Sequence, residues 1–118
     1  MPYVDGFVLA VPTDRMDEYK ALARRAGEVW KEHGALSYVE CLADDVPFGE
    51  LTSFPRAVHQ KDGETVIFSW ITYESREARD AINKKVMADQ RIDFSDPSTM
   101  PFDAKRMIYG GFQTILDL

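Results

Sequence analysis

Two stretches of this chain are apolar on both sides at once, and that double pattern limits what it can fold into. Residues 3–11 alternate as an extended strand. Tyr3, Asp5, Phe7, Leu9 and Val11 fall on one face, and Val4, Gly6, Val8 and Ala10 on the other. Residues 65–73 repeat the arrangement, with Ile67 and Ile71 opposed to Val66, Phe68 and Trp70. A strand apolar on both faces needs a cover on each. A chain of 118 residues is the size of a single domain, residues 1–118, with no second layer of its own to spare.

The remaining elements supply one cover. After Pro12, Thr13 is placed to cap a helix over about Asp14 to His33, whose apolar stripe is Met16, Tyr19, Leu22, Ala23, Ala26, Val29 and Trp30. Gly34 stands where a left-handed C-cap belongs. A second strand is expected from Ala35 to Ala43, followed by an irregular excursion from Asp44 to Pro55. Arg56 to Gln60 and Glu64 to Tyr73 flank Lys61-Asp62-Gly63, which predicts a hairpin. Ser75 caps a second helix, about Arg76 to Arg91, in which Asp80 and Lys84 are spaced to pair. The last strand is expected from Lys105 to Leu116, with Gly110-Gly111 marking a bulge or a close backbone approach.

The order is therefore β-α-β-β-α-β, the α+β, ferredoxin-like arrangement: one four-stranded antiparallel sheet with two helices on one face. The other face then calls for a second copy of the chain, and a homodimer is expected. Phe48, Leu51 and Phe54 in the excursion also need burial, which places it at an end of the assembly or against the partner.

Charge and cysteine content exclude several roles. Acids outnumber bases 20 to 14, for a net charge of −6, and the bases come at most in pairs. Phosphate neutralisation needs a basic surplus, so neither nucleic acid nor an anionic membrane is an expected partner. A lone Cys41 allows no internal disulfide, and no signal peptide or apolar span is read, so a cytoplasmic location is expected. His33 and His59 have no spacing that would bring both onto one ion, and no Gly-rich loop precedes a helix. No metal and no cofactor are expected.

Several segments, in order, carry a family likeness. Tyr3-Val4-Asp5-Gly6-Phe7, Trp30-Lys31-Glu32-His33-Gly34-Ala35, Phe54-Pro55-Arg56-Ala57, Phe68-Ser69-Trp70, Met100-Pro101-Phe102-Asp103 and the run Lys105 to Phe112 together resemble the YbaA-like family of small bacterial proteins, a domain of unknown function. The resemblance implies the dimeric α/β-barrel superfamily, in which two ferredoxin-like subunits join sheets. Its wider members include cofactor-independent monooxygenases, haem-degrading enzymes and muconolactone-isomerase-like enzymes, alongside binding proteins. Haem-degrading members place an asparagine on the first strand. This chain has Asp5 there, so haem is not expected although Trp70 and His33 fit the pattern.

Candidate residues follow from chemistry. His33 is a proton shuttle at a cleft mouth or, more simply, a cap on the negative end of its helix. Asp5 and Glu40 are the carboxylates placed in the sheet, and acid–base work there competes with simple pairing to a base such as Arg106. Tyr38, Trp70 and Tyr109 are candidates to line a pocket for a planar ligand, or to fill a core. Arg106 either holds an acidic ligand or closes a salt bridge. Three functions fit: a homodimer binding a small, partly aromatic molecule in its barrel or helix–sheet cleft; a cofactor-independent monooxygenase or isomerase using His33 with Asp5 or Glu40; and a structural or interaction protein with no pocket.

Overall fold

A computed structural model describes all of residues 1–118. Strand β1 runs Tyr3–Pro12, helix α1 Met16–Glu32, strand β2 Ser37–Leu42, a short helix α2 Phe54–Ala57, strand β3 Glu64–Tyr73, helix α3 Arg76–Met87 and strand β4 Ile108–Gln113. The sheet is antiparallel throughout, in the order β2-β3-β1-β4. This is the ferredoxin-like fold expected from the element order.

The register assigns the faces. β1 pairs with β3 from Tyr3↔Tyr73 to Pro12↔Glu64, so Leu9 and Val11 share a face with Ile67, Ile71 and Tyr73. That face carries both longer helices. Ala26, Val29 and Trp30 of α1 and Ile82 and Val86 of α3 pack there with Ile71 and Tyr73. Tyr19 and Ala23 pack on Leu9, Val11 and Ile67. Each aliphatic side chain fully buried there contributes about 1.5–3 kcal/mol.

The opposite face is only partly covered. Val8, Ala10 and Val66 are sealed by Val58, just after α2. Further along, Phe68 is 42% exposed and Phe112 63%. The second apolar face anticipated from the alternation is thus real, and this chain leaves much of it exposed.

Local details differ from the sequence expectations. Thr13 caps nothing: residues Thr13–Arg15 form a 3-10 turn, and the Thr13 hydroxyl lies 2.7 Å from that of Thr65. Ser75 does cap α3, its Oγ accepting from the Ala78 N–H at 3.0 Å. Gly34 takes φ +118°, as the left-handed position requires. Arg56 to Gln60 is not a strand. Ser53 accepts from the Arg56 N–H and starts α2, with Pro55 suited to a first helical turn, so the Asp62-Gly63 turn leads into β3 without closing a hairpin. Asp80 lies against Arg79, at 3.2 Å, and not Lys84. β4 is shorter than expected, because Asp103 caps a 3-10 turn over Ala104–Arg106. Gly110 and Gly111 pair in unbroken register with Gly6 and Asp5, so there is no bulge. No helix is long and apolar enough to cross a membrane.

Candidate functional site

The two longer helices do not close over the sheet. Between them lies a cavity of about 590 Å³, walled by Phe7, Leu9 and Ile71 from the sheet and by Ala23, Ala26 and Trp30 from α1. Its roof is the segment joining α3 to β4, which contributes Phe94, Pro97, Met100 and Phe102. Aromatic contacts hold that roof down: Phe94 meets Trp30 edge-on at 6.2 Å, and Phe102 meets Tyr19 at 5.7 Å. The space opens to solvent past Met87 and Tyr109, which are both exposed, so it is a cleft and not a sealed void.

Polar groups enter at two ends. On β2, Glu40 reaches into the cavity, and both its oxygens accept from the Tyr19 hydroxyl, at 2.7 and 2.9 Å. Burial pushes the Glu40 carboxyl above its usual range, while hydrogen bonds from Tyr19 and Ser69 pull the other way. The Tyr19 and Tyr38 hydroxyls are both pushed upward, first by burial and then by the Glu40 charge. A second, more open hollow of about 690 Å³ runs outside α1 and β2 and shares Glu40, Tyr19 and Tyr38 with the first. Its other walls include the solvated side chains of Lys20, Arg24 and Lys31, so it is a wet approach to Glu40 more than a binding chamber.

The other end is built on α3. Arg79 and Asn83 are one helical turn apart and both line the cavity. The Arg79 guanidinium lies over the Tyr3 ring at 5.0 Å, and Nη2 donates to the Tyr3 hydroxyl at 3.1 Å. Asp5, only 6% exposed, stands 3.7 Å from Nη1, an ion pair without a hydrogen bond. Asn83 Oδ1 accepts from Trp30 Nε1 at 3.0 Å and from the Tyr73 hydroxyl at 3.3 Å. Burial, then Asp5, raises the Tyr73 hydroxyl. Gly111 is what admits this cluster to the sheet, since a Cβ there would overlap Tyr3 Oη and sit 2.7 Å from Arg79 Nη2.

The expected site residues separate accordingly. Asp5, Glu40, Tyr38 and Tyr109 border the cavity, and the Tyr109 ring stacks on Phe7 at 6.4 Å. Trp70 reaches the cavity only as part of β3, because its ring lies on the opposite face against Phe68 at 5.7 Å. The alternation of the strand dictates this, and it removes Trp70 from the pair of tyrosines. His33 is outside. It ends α1, and its Nε2 lies 2.9 Å from Asp89 Oδ2, in a surface cluster where Arg91 holds the Asp89 carboxyl well below its usual range. Arg106 is also outside, bonded in pairs to Glu64 at 2.9 and 2.7 Å. Arg79, Asn83 and Tyr19 also line the cavity and are not among the site candidates that the sequence offers. Arg79 and Asn83 carry a faint signal, two long polar side chains at i and i+4 beside an apolar helical stripe.

Comparison with known proteins fits this fold. A solved structure, described as a dimeric ferredoxin-like protein from an uncultured marine organism, superposes over 100% of both chains with a TM-score of 0.56 and 12% identity. The chain is 54% identical, over 99% of its own length and 99% of theirs, to the uncharacterized protein YbaA of Escherichia coli K12 and of Shigella flexneri. The family model described as Protein of unknown function (DUF1428) matches residues 2–104, and the chain belongs to that family.

Proposed function

We propose that this protein is a cytoplasmic homodimer that binds a small, partly aromatic molecule in the cavity between its helices and its sheet. The observation that carries the reading is the cavity itself. Its volume of about 590 Å³ lies within the range of small-molecule sites, roughly 300–1,000 Å³. Its walls are mostly apolar, with polar groups confined to two ends, the usual composition of a site that selects by orientation. A purely structural protein would have no use for such a space, and this favours the binding reading over the structural one.

The partner is a second copy. The uncovered sheet face presents Phe68, Ile108 and Phe112, and Phe54 meets Phe68 edge-on at 5.8 Å beside it. Phe48 and Leu51 of the excursion are also exposed in the single chain. The structural relative is described as dimeric, which supports the same assembly here. The acidic charge and lone Cys41 suit a reducing cytoplasm with neither nucleic acid nor membrane as partner.

One observation favours a second reading, a cofactor-independent monooxygenase or isomerase. Glu40 is a carboxylate with a raised pKa in a largely apolar cavity, where it is suited to move a proton. His33 has no part in that reading, being outside the cavity.

A thermal-shift screen against small aromatic compounds tests the main reading. A ligand at a hundred times its Kd adds about 2.7 kcal/mol of stability. Stabilisation by at least one such compound is expected, and none by any would contradict the reading. Light scattering is expected to give twice the chain mass; a monomer at micromolar concentration would remove the dimer.

A further inference from the structure

The two ends of the cavity are chemically opposite, and this specifies the ligand. At the α3 end there are donors without acceptors. A guanidinium has five N–H bonds to offer. Arg79 uses one in a hydrogen bond, to Tyr3; its Nε is buried beside Asp80 at 3.2 Å and out of a ligand's reach, so it is the remaining Nη N–H groups that are left for a ligand. Asn83 is fixed in one orientation, because Trp30 Nε1 can only donate and so must face Oδ1. The Asn83 Nδ2 group is therefore a second donor without a protein acceptor. At the β2 end the balance is reversed: Glu40 presents carboxylate oxygens, with lone pairs beyond those that Tyr19 uses.

Resting on the reading of this cavity as a ligand site, we propose that it takes a flat aromatic molecule with a carbonyl oxygen at one end and a hydroxyl at the other. The carbonyl accepts from Arg79 and Asn83, and the hydroxyl donates to Glu40. A neutral carbonyl is specified over a carboxylate, because Asp5 at 3.7 Å and Asp80 at 3.2 Å already balance the Arg79 charge. Length points to a two-ring molecule. Glu40 lies on β2 and the Arg79 cluster over β1 and β4, two to three strand spacings away, roughly 10–14 Å. Met87, Met100 and Phe94 along the way offer polarisable contacts to ring edges and faces.

The test is titration calorimetry with 6-acetyl-2-naphthol, 2-acetylnaphthalene, 2-naphthol and naphthalene. The first is expected to bind at least tenfold more tightly than either single-ended compound. Arg79→Met made together with Asp5→Asn, so that no buried charge is left alone, is expected to bring 6-acetyl-2-naphthol most of the way down to the affinity of 2-naphthol, with Asn83 keeping the rest. Asn83→Asp keeps the acceptor for Trp30 and loses the Asn83 donors, and should weaken 6-acetyl-2-naphthol while leaving 2-naphthol unchanged, a readout that holds if the paired variant folds poorly. Four affinities within twofold of one another would overturn this proposal while leaving the cavity a ligand site. No binding by any of the four would overturn this proposal, and the reading of the cavity as a ligand site would then stand or fall with the thermal-shift screen. Tighter binding of 6-hydroxy-2-naphthoate than of 6-acetyl-2-naphthol would overturn the neutral carbonyl.

Discussion

Arg106 and Arg79 are both largely buried arginines beside a carboxylate, yet their surroundings assign them different work. Arg106 spends its guanidinium on the protein: it donates to both Glu64 oxygens, to Asp103 and to the carbonyls of Val58 and His59. Those bonds tie the approach to β4 to the start of β3 and to the loop that seals the second sheet face. Arg79 has one hydrogen bond and faces a cavity. A buried donor left without an acceptor costs about 1–3 kcal/mol, so a saturated arginine stabilises a fold while an unsaturated one at a cavity wall is poised for a ligand.

The largest effect should come from the saturated residue. Arg106→Met strips the half-buried Glu64 of both arginine hydrogen bonds and leaves it only the Lys61 N–H, which costs about 3 kcal/mol at roughly 1.5 kcal/mol for each charge-assisted bond. Thermal unfolding should register this as a large fall in Tm, and an unchanged Tm would break the comparison. Next is the uncovered face. Phe68→Asp enters a symmetric interface twice and should weaken the dimer at least about a hundredfold by sedimentation equilibrium. Deleting Val46 to Phe54 should weaken it in the same direction, and a deletion variant as dimeric as the parent would place the interface elsewhere. Gly111→Ala pushes Tyr3 and Arg79 off β4, at about 1–3 kcal/mol in denaturant melts. A stability equal to the parent's would show the α3 end free to shift.

The smallest effects are slopes with pH, and they have opposite signs at the two sites. The folded Glu64 carboxyl titrates below its usual range, chiefly through hydrogen bonding by Arg106. Its stabilisation is complete above the ordinary glutamate pKa and lost as pH falls through the lowered one. The Glu40 carboxyl titrates above its usual range, so the folded state holds that proton longer. Stability from Glu40 is complete below the ordinary glutamate pKa and declines as pH rises through the raised one. Glu40→Gln should flatten the decline on the higher side, and Arg106→Met should remove the loss on the acid side. Stability against pH, measured for each variant beside the parent, checks both.

What could be read from the chain, and what could not, divides by the range of the interactions. Alternation in residues 3–11 and 65–73 specified a two-faced sheet, because side-chain direction in a strand is set residue by residue. Gly34 and Ser75 were legible for the same local reason. Thr13 was not, since the neighbouring Thr65 that holds its hydroxyl is far along the chain. The short helix α2 was obscured by an Asp-Gly turn that usually signals a hairpin. Among site residues, Asp5 and Glu40 were identifiable as carboxylates in strands. Arg106 stood out by its position before β4, but which arginine has unused donors depends on acceptors brought together from four separate segments. No spacing rule reports that.

The most direct test of the central claim is amide and side-chain NMR of the full chain titrated with 6-acetyl-2-naphthol. The account predicts shifts concentrated at Glu40, Ser69, Arg79 and Asn83, with Phe68 and Phe112 on the opposite face unmoved. Shifts confined to Phe68, Phe112 and their neighbours, or none at all, would contradict it.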